Sequence, residues 1–374
     1  MKILVAGDFC PQHRVADRLE NGDYESIFGN VKNIISDADY SIVNFECPVT
    51  YGGEKPIMKC GPNLQCSDKG LEAVKWAGFD CVTLANNHFL DYGEKGVENT
   101  LEACSKYHID TVGGGGNLRE ASQILYKEIN GSILAIINCC EHEFSIATET
   151  TAGSNPLNPI QQFYTIKEAR TKADYVLVIV HGGHEQYNLP SPRMQETYRF
   201  FIDAGADAVV NHHQHCYSGY EIYKEKPIFY GLGNFCFDKA DKTDLFGWND
   251  GYMVSLDFTG DKGAFEIIPY RQCKKKPSVE ILPIGTFNNE LKELNTIIAN
   301  SEKLKEKASQ YYHDSMKSIS YIVEPIQNRY VSALQRRGLL PRLWSKRYVV
   351  KLQNYVMCEA HKDKMDFFFK HFND

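Results

Sequence analysis

The stretch NHHQH at residues 211–215 directly follows a short apolar run at residues 208–210. It lies one helix after the stretch HGGHE at residues 181–185, which itself follows the apolar run 176–180. Five of the twelve histidines of the chain therefore fall between positions 181 and 215. Buried imidazoles need polar partners and are frequent metal ligands. Histidines at the ends of two successive strands thus predict a metal site.

The composition is that of an ordinary globular protein. The chain has 374 residues, of which 43% are apolar and 24% charged, and this excludes the disordered and fibrous classes. The sequence lacks an uninterrupted apolar run of about 18 residues, which argues against a membrane-spanning helix. The apolar start of the chain ends at Asp8, too early for a signal peptide, and predicts a buried strand at residues 3–6.

The twelve cysteines are scattered and form no C-x-x-C pair. Several of them, including Cys81, Cys139 and Cys140, lie in apolar runs where a thiol behaves as a small core residue. This usage predicts reduced thiols and a cytoplasmic protein.

The net charge of −7 is unevenly distributed. Residues 271–374 contain 19 Lys and Arg against 11 Asp and Glu, a surplus of +8, which leaves 22 against 37, or −15, for residues 1–270. The residue pattern also changes, because residues after about 285 indicate three helices with breaks near Pro325 and at 338–341. We therefore predict two units, residues 1–270 and residues 285–374.

Short β-branched runs alternate with helical patterns in residues 1–270, which predicts an α/β layer structure. The predicted strands are residues 3–6, 40–45, 81–84, 133–138, 175–180 and 208–210. A hairpin is predicted at Asn130-Gly131, a dipeptide that favours a tight turn. The predicted helices are residues 67–77, with Ser67 as the N-cap, and residues 97–107. Two late strand pairs, 219–223 with 228–230 and 252–258 with 264–268, predict a second sheet packed on the first.

Side chains that can bind a metal follow five successive apolar runs. They are Asp8, Glu46, Asn87 with His88, His181, and His213 with His215. Binding sites of open α/β sheets lie outside the carboxyl ends of the strands, so these side chains are expected to converge. Carboxylate, amide and imidazole groups from separate strand ends suit a pair of divalent cations. Positions i and i+2 of an extended chain face one side, so His213 and His215 are predicted to share a cavity.

The ordered motifs of the chain resemble those of the CapA family, which is associated with poly-γ-glutamate capsule synthesis and belongs to the calcineurin-like metallophosphatase superfamily. The motifs are GD at 7–8, NFE at 44–46, ANNH at 85–88 with DYG at 91–93, HGGHE at 181–185, residues 205–215, and PIFYGLGNF at 227–235 with Asp238. They extend over residues 1–240. The resemblance implies a four-layer α-β-β-α sandwich of the metallophosphatase type, with a helical C-terminal appendage.

The resemblance also implies a set of metal ligands. These are Asp8, Glu46, Asn87, His181, His213 and His215. Glu46 would bridge two divalent cations, expected to be Mn, Fe or Zn, and His215 would bind a different cation from His181 and His213.

One histidine outside the ligand set receives a role from the same resemblance. His88 would be the general acid, oriented by Asp91.

The chain also departs from the superfamily at three positions. Cys10 stands where the first motif, Asp-x-His, usually has its histidine, Glu46 replaces an Asp, and His212 replaces a Gly. Cys10 is interpreted as a buried thiol, with a ligand role as the alternative.

The function predicted from these features is a metal-dependent hydrolase of the CapA type, active in capsule or surface-polymer metabolism. Metal-activated water would cleave a phosphoester or a γ-glutamyl amide, and the partner would be an anionic polymer or a phosphorylated small molecule. The alternative is a non-catalytic assembly scaffold that binds an anionic polymer. A nuclease is disfavoured, and no nucleic-acid partner is expected, because phosphate contacts need clustered Lys and Arg, which the acidic residues 1–270 lack.

The basic C-terminal region leaves several interpretations open. Residues 342–347 are rich in Arg and Lys and precede an amphipathic stretch that contains three consecutive phenylalanines at 367–369. Such a segment could contact an anionic membrane surface or an anionic polymer. It could also dock on the acidic body of the protein or on a dimer partner, with its charges solvated, which is the interpretation favoured here.

Overall fold

The computed structural model describes residues 1–239, 246–259, 264–323, 330, 333–334, 337–339 and 345–371. The strands are β1 (Lys2–Phe9), β2 (Tyr40–Phe45), β3 (Cys81–Thr83), β4 (Asp110–Val112), β5 (Gly114–Gly115), β6 (Leu125–Ile129), β7 (Ser132–Cys140), β8 (Gly153–Ser154), β9 (Tyr175–His181), β10 (Ala208–His212), β11 (Tyr220–Tyr223), β12 (Lys226–Phe229), β13 (Asn234–Cys236), β14 (Asp250–Asp257), β15 (Ala264–Gln272) and β16 (Val279–Ile281).

The helices of the described residues lie between these strands and after them. They are α1 (His13–Glu20), α2 (Tyr24–Phe28), α3 (Val31–Ser36), α4 (Lys69–Ala77), α5 (Gly93–Lys106), α6 (Leu118–Ala121), α7 (Pro159–Lys172), α8 (Pro192–Ala204), α9 (Asn288–Ile298), α10 (Ser301–Val323), α11 (Lys346–Met357) and α12 (Glu359–Lys370). No described helix is both long enough and apolar enough to cross a bilayer.

Two mixed sheets form the centre of the molecule. The first has the strand order β16-β15-β14-β1-β2-β3-β4, and β13 also pairs with β1. The second has the order β11-β12-β10-β9-β7-β6. Strands β1 to β4 are parallel, as are β7, β9, β10 and β12. The parallel strands of each sheet therefore deliver their carboxyl ends to one edge.

Three separate apolar cores divide the molecule into four layers. One core joins the first sheet to helices α1 to α5, with Phe9 and Phe28 at its centre. A second core lies between the sheets and contains Val5 and Leu177. A third joins the second sheet to α7 and α8, with Val178 among its residues. The predicted four-layer α-β-β-α arrangement is confirmed.

Most of the predicted strands occur at the expected positions. The hairpin at Asn130-Gly131 is also confirmed, since both residues have positive φ (52° and 79°) and join the antiparallel strands β6 and β7. The pair 252–258 with 264–268 was assigned to the wrong sheet. It forms β14 and β15, and β14 pairs antiparallel with β1 in the first sheet, from Lys2 with Asp257 to Val5 with Val254.

The predicted N-cap of α4 was wrong as well. The helix begins at Lys69 with Asp68 in the capping position. The Ser67 hydroxyl donates instead to the Glu20 carboxylate. The acceptor Glu20 lies 47 positions earlier in the chain than Ser67, so local pattern alone did not indicate this bond.

The C-terminal region contains more helices than predicted. Its described residues hold four, α9 to α12, because the chain breaks between α9 and α10 and again at Cys358. Gly338 lies in a turn with φ 71°, as expected from the predicted break. Pro325, Pro341 and the first half of the basic stretch, residues 342–344, lie outside the described residues.

Helix α12 docks on the body through charges of the opposite sign to those predicted. Asp363 of α12 lies 3.0 Å from the Arg193 guanidinium, and Glu359 lies 2.6 Å from His142 Nδ1. Arg193 also binds Glu141 at 2.7 Å. Docking on the body is therefore seen for this segment, and in these contacts the carboxylates belong to the tail and the cations to the body.

We predict that the contact between His142 and Glu359 stabilises the fold in a pH-dependent manner. The hydrogen bond to Glu359 raises the pKa of His142. Its stabilising effect is therefore complete below the unfolded value of about 6.5 and declines as pH rises through the higher folded pKa. In thermal unfolding, His142→Gln should lower the melting temperature more at pH 6 than at pH 8.5. The exposed control His313→Gln should not lower it at either pH. Equal losses at both pH values would contradict this account.

Candidate metal centre

The ends of the parallel strands bring the predicted site residues together. Asp8 in β1 lies in register with Asn44 at the end of β2 and with Asn234 at the start of β13. Gly7 permits this approach, because a Cβ at that position would lie 1.9 Å from the Gly233 carbonyl oxygen. His181 and His212 are paired at the ends of β9 and β10 in the second sheet. The two sheets thus place carboxylates and imidazoles at a common edge.

Two groups of three possible ligands share Glu46. In the first group the ligand atoms of Asp8, Glu46 and His215 lie within 4.8 Å of one another. The second group, Glu46, His181 and His213, meets the same limit. Glu46 Oε1 lies 3.6 Å from His181 Nε2 and 3.7 Å from His215 Nε2. The residue predicted to bridge two cations therefore lies between the histidines predicted to bind them.

Amide side chains orient several members of these groups. Asn87 Oδ1 lies 3.0 Å from His181 Nε2, so the predicted amide ligand lies next to the group of Glu46, His181 and His213. Asn44 Nδ2 donates to Asp8 Oδ1 at 2.8 Å. Asn234 Oδ1 lies 2.9 Å from His215 Nδ1, which leaves Nε2 of that ring directed toward Glu46.

The chemistry of this donor set fits divalent cations. Glu46 is fully buried, and neither of its carboxylate oxygens has a hydrogen-bond partner within the part of the chain that the structure describes. Burial and the nearby charge of Asp8 raise the pKa of Glu46. Burial also lowers the pKa of His181, with the neighbouring His213 acting in the same direction. A buried carboxylate without a hydrogen-bond partner among the described residues, next to several imidazole nitrogens, is a group that a cation would satisfy.

His88 and Asp91, the predicted general acid and its orienting carboxylate, form a buried pair. His88 Nδ1 is 2.7 Å from Asp91 Oδ2, and both side chains are buried. Burial lowers the pKa of His88, although Asp91 opposes the shift. Lys59, which sequence reasoning missed, pairs with Asp91 through its ammonium group. The carboxylate therefore holds both the imidazole and a buried lysine.

His213 and His215 share the site for a different reason from the one predicted. Strand β10 ends at His212, and the next residues leave the extended conformation, with φ of 92° at His213 and 56° at His215. Their common orientation therefore comes from a turn in the left-handed region rather than from strand alternation. His212 Nε2 lies 2.9 Å from the Ala6 carbonyl oxygen and faces away from the site.

Cys10 remains outside both metal groups of the described residues. Its side chain is fully buried, and burial raises the pKa of the thiol. The Gln12 side chain donates to its sulfur at 3.5 Å. These observations agree with the interpretation of Cys10 as a buried thiol.

A cavity of about 450 Å³ lies next to the second metal group. Tyr311 and several residues between positions 351 and 364 supply one of its walls, and sequence reasoning assigned none of them to the site. The lining residues include Glu143, His184, Glu185 and His213 from the body, and Tyr311, Lys351, Asn354, Tyr355, Cys358, His361 and Lys364 from the C-terminal helices. The cavity is therefore built jointly by the body and the C-terminal helices.

Glu143 connects this wall with the metal groups. Its Oε2 accepts from Asn87 Nδ2 at 3.2 Å and lies 3.8 Å from His213 Nε2. Its Oε1 accepts from Asn354 Nδ2 at 3.0 Å. Burial alone would raise the pKa of Glu143, but the hydrogen bond from His361 and the charge of His213 lower it overall. A third possible ligand group, Glu143, Cys358 and His361, lies at the same junction.

One signal in the sequence could have indicated Glu143. It follows the end of β7 by three residues, as the other site residues follow their strands. No local pattern could have found the contribution of Asn354 or His361, because 211 residues separate Asn354 from Glu143.

Comparison with known proteins identifies the family. The family model described as "Bacterial capsule synthesis protein PGA_cap" matches residues 2–239. The chain belongs to this family. Within the capsule synthesis family, the "Capsule biosynthesis protein CapA" of Bacillus anthracis is 35% identical over 248 residues, which are 64% of this chain and 60% of that protein. The "PGA biosynthesis protein CapA" of Bacillus subtilis (strain 168) is 34% identical over 270 residues, 70% of this chain and 69% of that protein.

A similar solved structure is the calcineurin-like phosphoesterase YfkN from Bacillus subtilis. It superposes with a TM-score of 0.40 at 12% identity, covering 80% of this chain and 99% of that chain. The family match ends before α9, so the C-terminal helices that line the cavity lie outside it.

We predict that Glu46→Gln stabilises the metal-free protein and abolishes stabilisation by metal. Glu46 has no hydrogen-bond partner among the described residues and lies close to the charge of Asp8, so replacing its carboxylate with an amide relieves repulsion. After chelation, the melting temperature of Glu46→Gln should exceed that of the wild type by at least about 2 °C. Added Mn²⁺ should raise the melting temperature of the wild type and leave that of the variant unchanged.

The exposed Glu128→Gln provides the control, and it should follow the wild type in both conditions. A metal-free Glu46→Gln protein that is less stable than the wild type, or that still responds to Mn²⁺, would contradict the assignment.

Proposed function

We propose that the protein is a metal-dependent hydrolase that acts on a phosphoester or a γ-glutamyl amide in surface-polymer metabolism. The observation that carries the proposal is the buried Glu46 carboxylate, which lies between two histidine-containing ligand groups and lacks a hydrogen-bond partner among the described residues. A shared carboxylate of this kind is typical of sites for a pair of divalent cations.

The residues that would hold the cations are Asp8, Glu46, Asn87, His181, His213 and His215. When bound, a pair of Mn, Fe or Zn ions would lower the pKa of water and offset negative charge on the group under attack. Asn44 and Asn234 hold Asp8 and His215 in place by hydrogen bonds at 2.8 and 2.9 Å. These two metal-ligand side chains are therefore ordered before a cation or substrate arrives.

His88 is proposed to supply a proton to the leaving group. Asp91 holds Nδ1 of its ring, so Nε2 is the nitrogen available to a substrate. Burial lowers the pKa of the imidazole, which makes its protonated form a stronger acid. Lys59 binds the same carboxylate and fixes its position.

The surface-polymer context comes from the relatives. Two of them have names that refer to capsule or PGA biosynthesis, and we extend poly-γ-glutamate to this chain as the proposed polymer. We also propose a cytoplasmic location, because all twelve cysteines carry free thiols.

A non-catalytic assembly factor is the second candidate. The observation that favours it is Cys10, which stands where the superfamily usually has a histidine ligand and lies outside both metal groups of the described residues. With one nitrogen ligand fewer, the site would bind one cation less tightly. Such a protein would bind an anionic polymer without cleaving it.

The hydrolase proposal predicts that His215→Ala loses both metal and activity. The test combines metal content by mass spectrometry with hydrolysis of p-nitrophenyl phosphate, bis-p-nitrophenyl phosphate and γ-glutamyl p-nitroanilide. Wild type should bind about two equivalents of metal and cleave at least one substrate, and His215→Ala should lose at least about 100-fold in rate. The exposed His313→Ala should behave as the wild type. Absence of turnover with every substrate and metal would favour the assembly factor.

A further inference from the structure

The C-terminal helices present a cation to the cavity beside the metal groups. Lys364 of α12 lines the cavity together with His213 of the second metal group. Its side chain is half-buried, and its ammonium nitrogen lies 4.8 Å from the centre of the Tyr311 ring. Residues 311 and 364 both lie outside the family match at 2–239.

Lys364 differs from its charged neighbours on α12. Asp363 is paired with Arg193, and Glu359 is paired with His142. Among residues whose positions are described, no carboxylate oxygen lies within 4.0 Å of the Lys364 ammonium. Lys364 is therefore the member of this helix whose charge is directed to the cavity rather than to a contact with the body.

The surroundings of Lys364 disfavour an uncompensated charge. Burial lowers the pKa of Lys364, although Glu185 opposes the shift. The charge of Lys364 in turn contributes to the lowered pKa of His184, after the larger effect of burial. A half-buried cation in such a place gains from an anionic partner, since a hydrogen bond to a charged group is stronger than one between neutral groups.

The cavity is large enough for a ligand that carries more than one anionic group. Its volume of about 450 Å³ falls within the range of small-molecule sites, roughly 300–1,000 Å³, and exceeds what a single phosphate group needs. A substrate with its reacting group near His213 therefore has room for a second group near Lys364. The exposed Lys351 lines the same cavity and adds positive charge at the rim.

We propose that Lys364 forms a second binding subsite, which receives an anionic group of the substrate that does not itself react. This inference rests on the proposed hydrolase, and it specifies a substrate with at least two anionic groups. Carboxylate and phosphate share the chemistry that Lys364 would recognise. Tyr311 holds the lysine side chain through its ring face.

The test measures anion binding in the full-length, metal-free protein, so that it does not depend on hydrolysis. Isothermal titration calorimetry is carried out with two probes, tripolyphosphate and the tricarboxylate tricarballylate. Lys364→Met should weaken the binding of at least one probe by about 10-fold or more, the loss expected for one charge-assisted hydrogen bond. Lys364→Arg should retain most of the affinity, because it keeps the charge.

Lys362→Met is the matched control, since Lys362 lies on the same helix and is exposed. It should change the affinity by less than about twofold, as expected of a screened surface charge. Should Lys364→Met fail to fold, the exposed Lys351→Met serves as the second variant and should weaken binding by about threefold. The probe whose affinity falls identifies the anion as phosphate or carboxylate.

Equal affinities of Lys364→Met and Lys362→Met would overturn the subsite. Lack of binding of either probe by the wild type at millimolar concentration would overturn it as well. Failure of the hydrolase proposal gives a different result, since substrates would then remain uncleaved while the Lys364-dependent binding persists.

Discussion

The burial of Glu46 is the constraint on which the site depends. Its carboxylate is placed beside Asp8 in the interior, where two like charges repel and water cannot compensate either of them. Asp8 receives hydrogen bonds from Asn44 and from the backbone of His213, whereas Glu46 receives none from the described residues. A carboxylate in this position has a clear physical role only if cations occupy the space between it and the histidines. The surrounding fold holds this arrangement in place.

Both sheets contribute to that support, and the C-terminal helices complete it. The first sheet supplies the carboxylates, and the second supplies the histidines from the ends of β9 and β10. Arg193 and His142 of the body bind the carboxylates of α12, which places Lys364 and His361 at the cavity. Glu143 contacts both the metal groups and the helical wall. A substrate in the cavity would therefore touch residues from the family-matched region and from the region that follows it.

The sequence was sufficient to predict the layers. The structure also brings the six predicted ligands to one edge of the sheets, because each of them closely follows an apolar run that became a buried strand. The sequence was insufficient wherever distant segments meet. The β14–β15 pair was assigned to the wrong sheet, because hydrophobic alternation shows that a segment is a strand but does not show which strand it pairs with. The turn at His213 and His215 required positive φ, which a histidine pair does not indicate. The helical wall went unnoticed because its contacts join residues that lie more than 200 positions apart, as Asn354 and Glu143 do.

The central claim is that Glu46 is shared by two cations. Anomalous diffraction from crystals grown with Mn²⁺ tests it most directly, because the peaks locate the ions independently of activity. We expect two peaks within about 2.0–2.3 Å of Glu46 oxygens, one near Asp8 and His215 and the other near His181 and His213. Absence of a peak at Glu46, or a single peak at Glu143, Cys358 and His361 instead, would contradict the account.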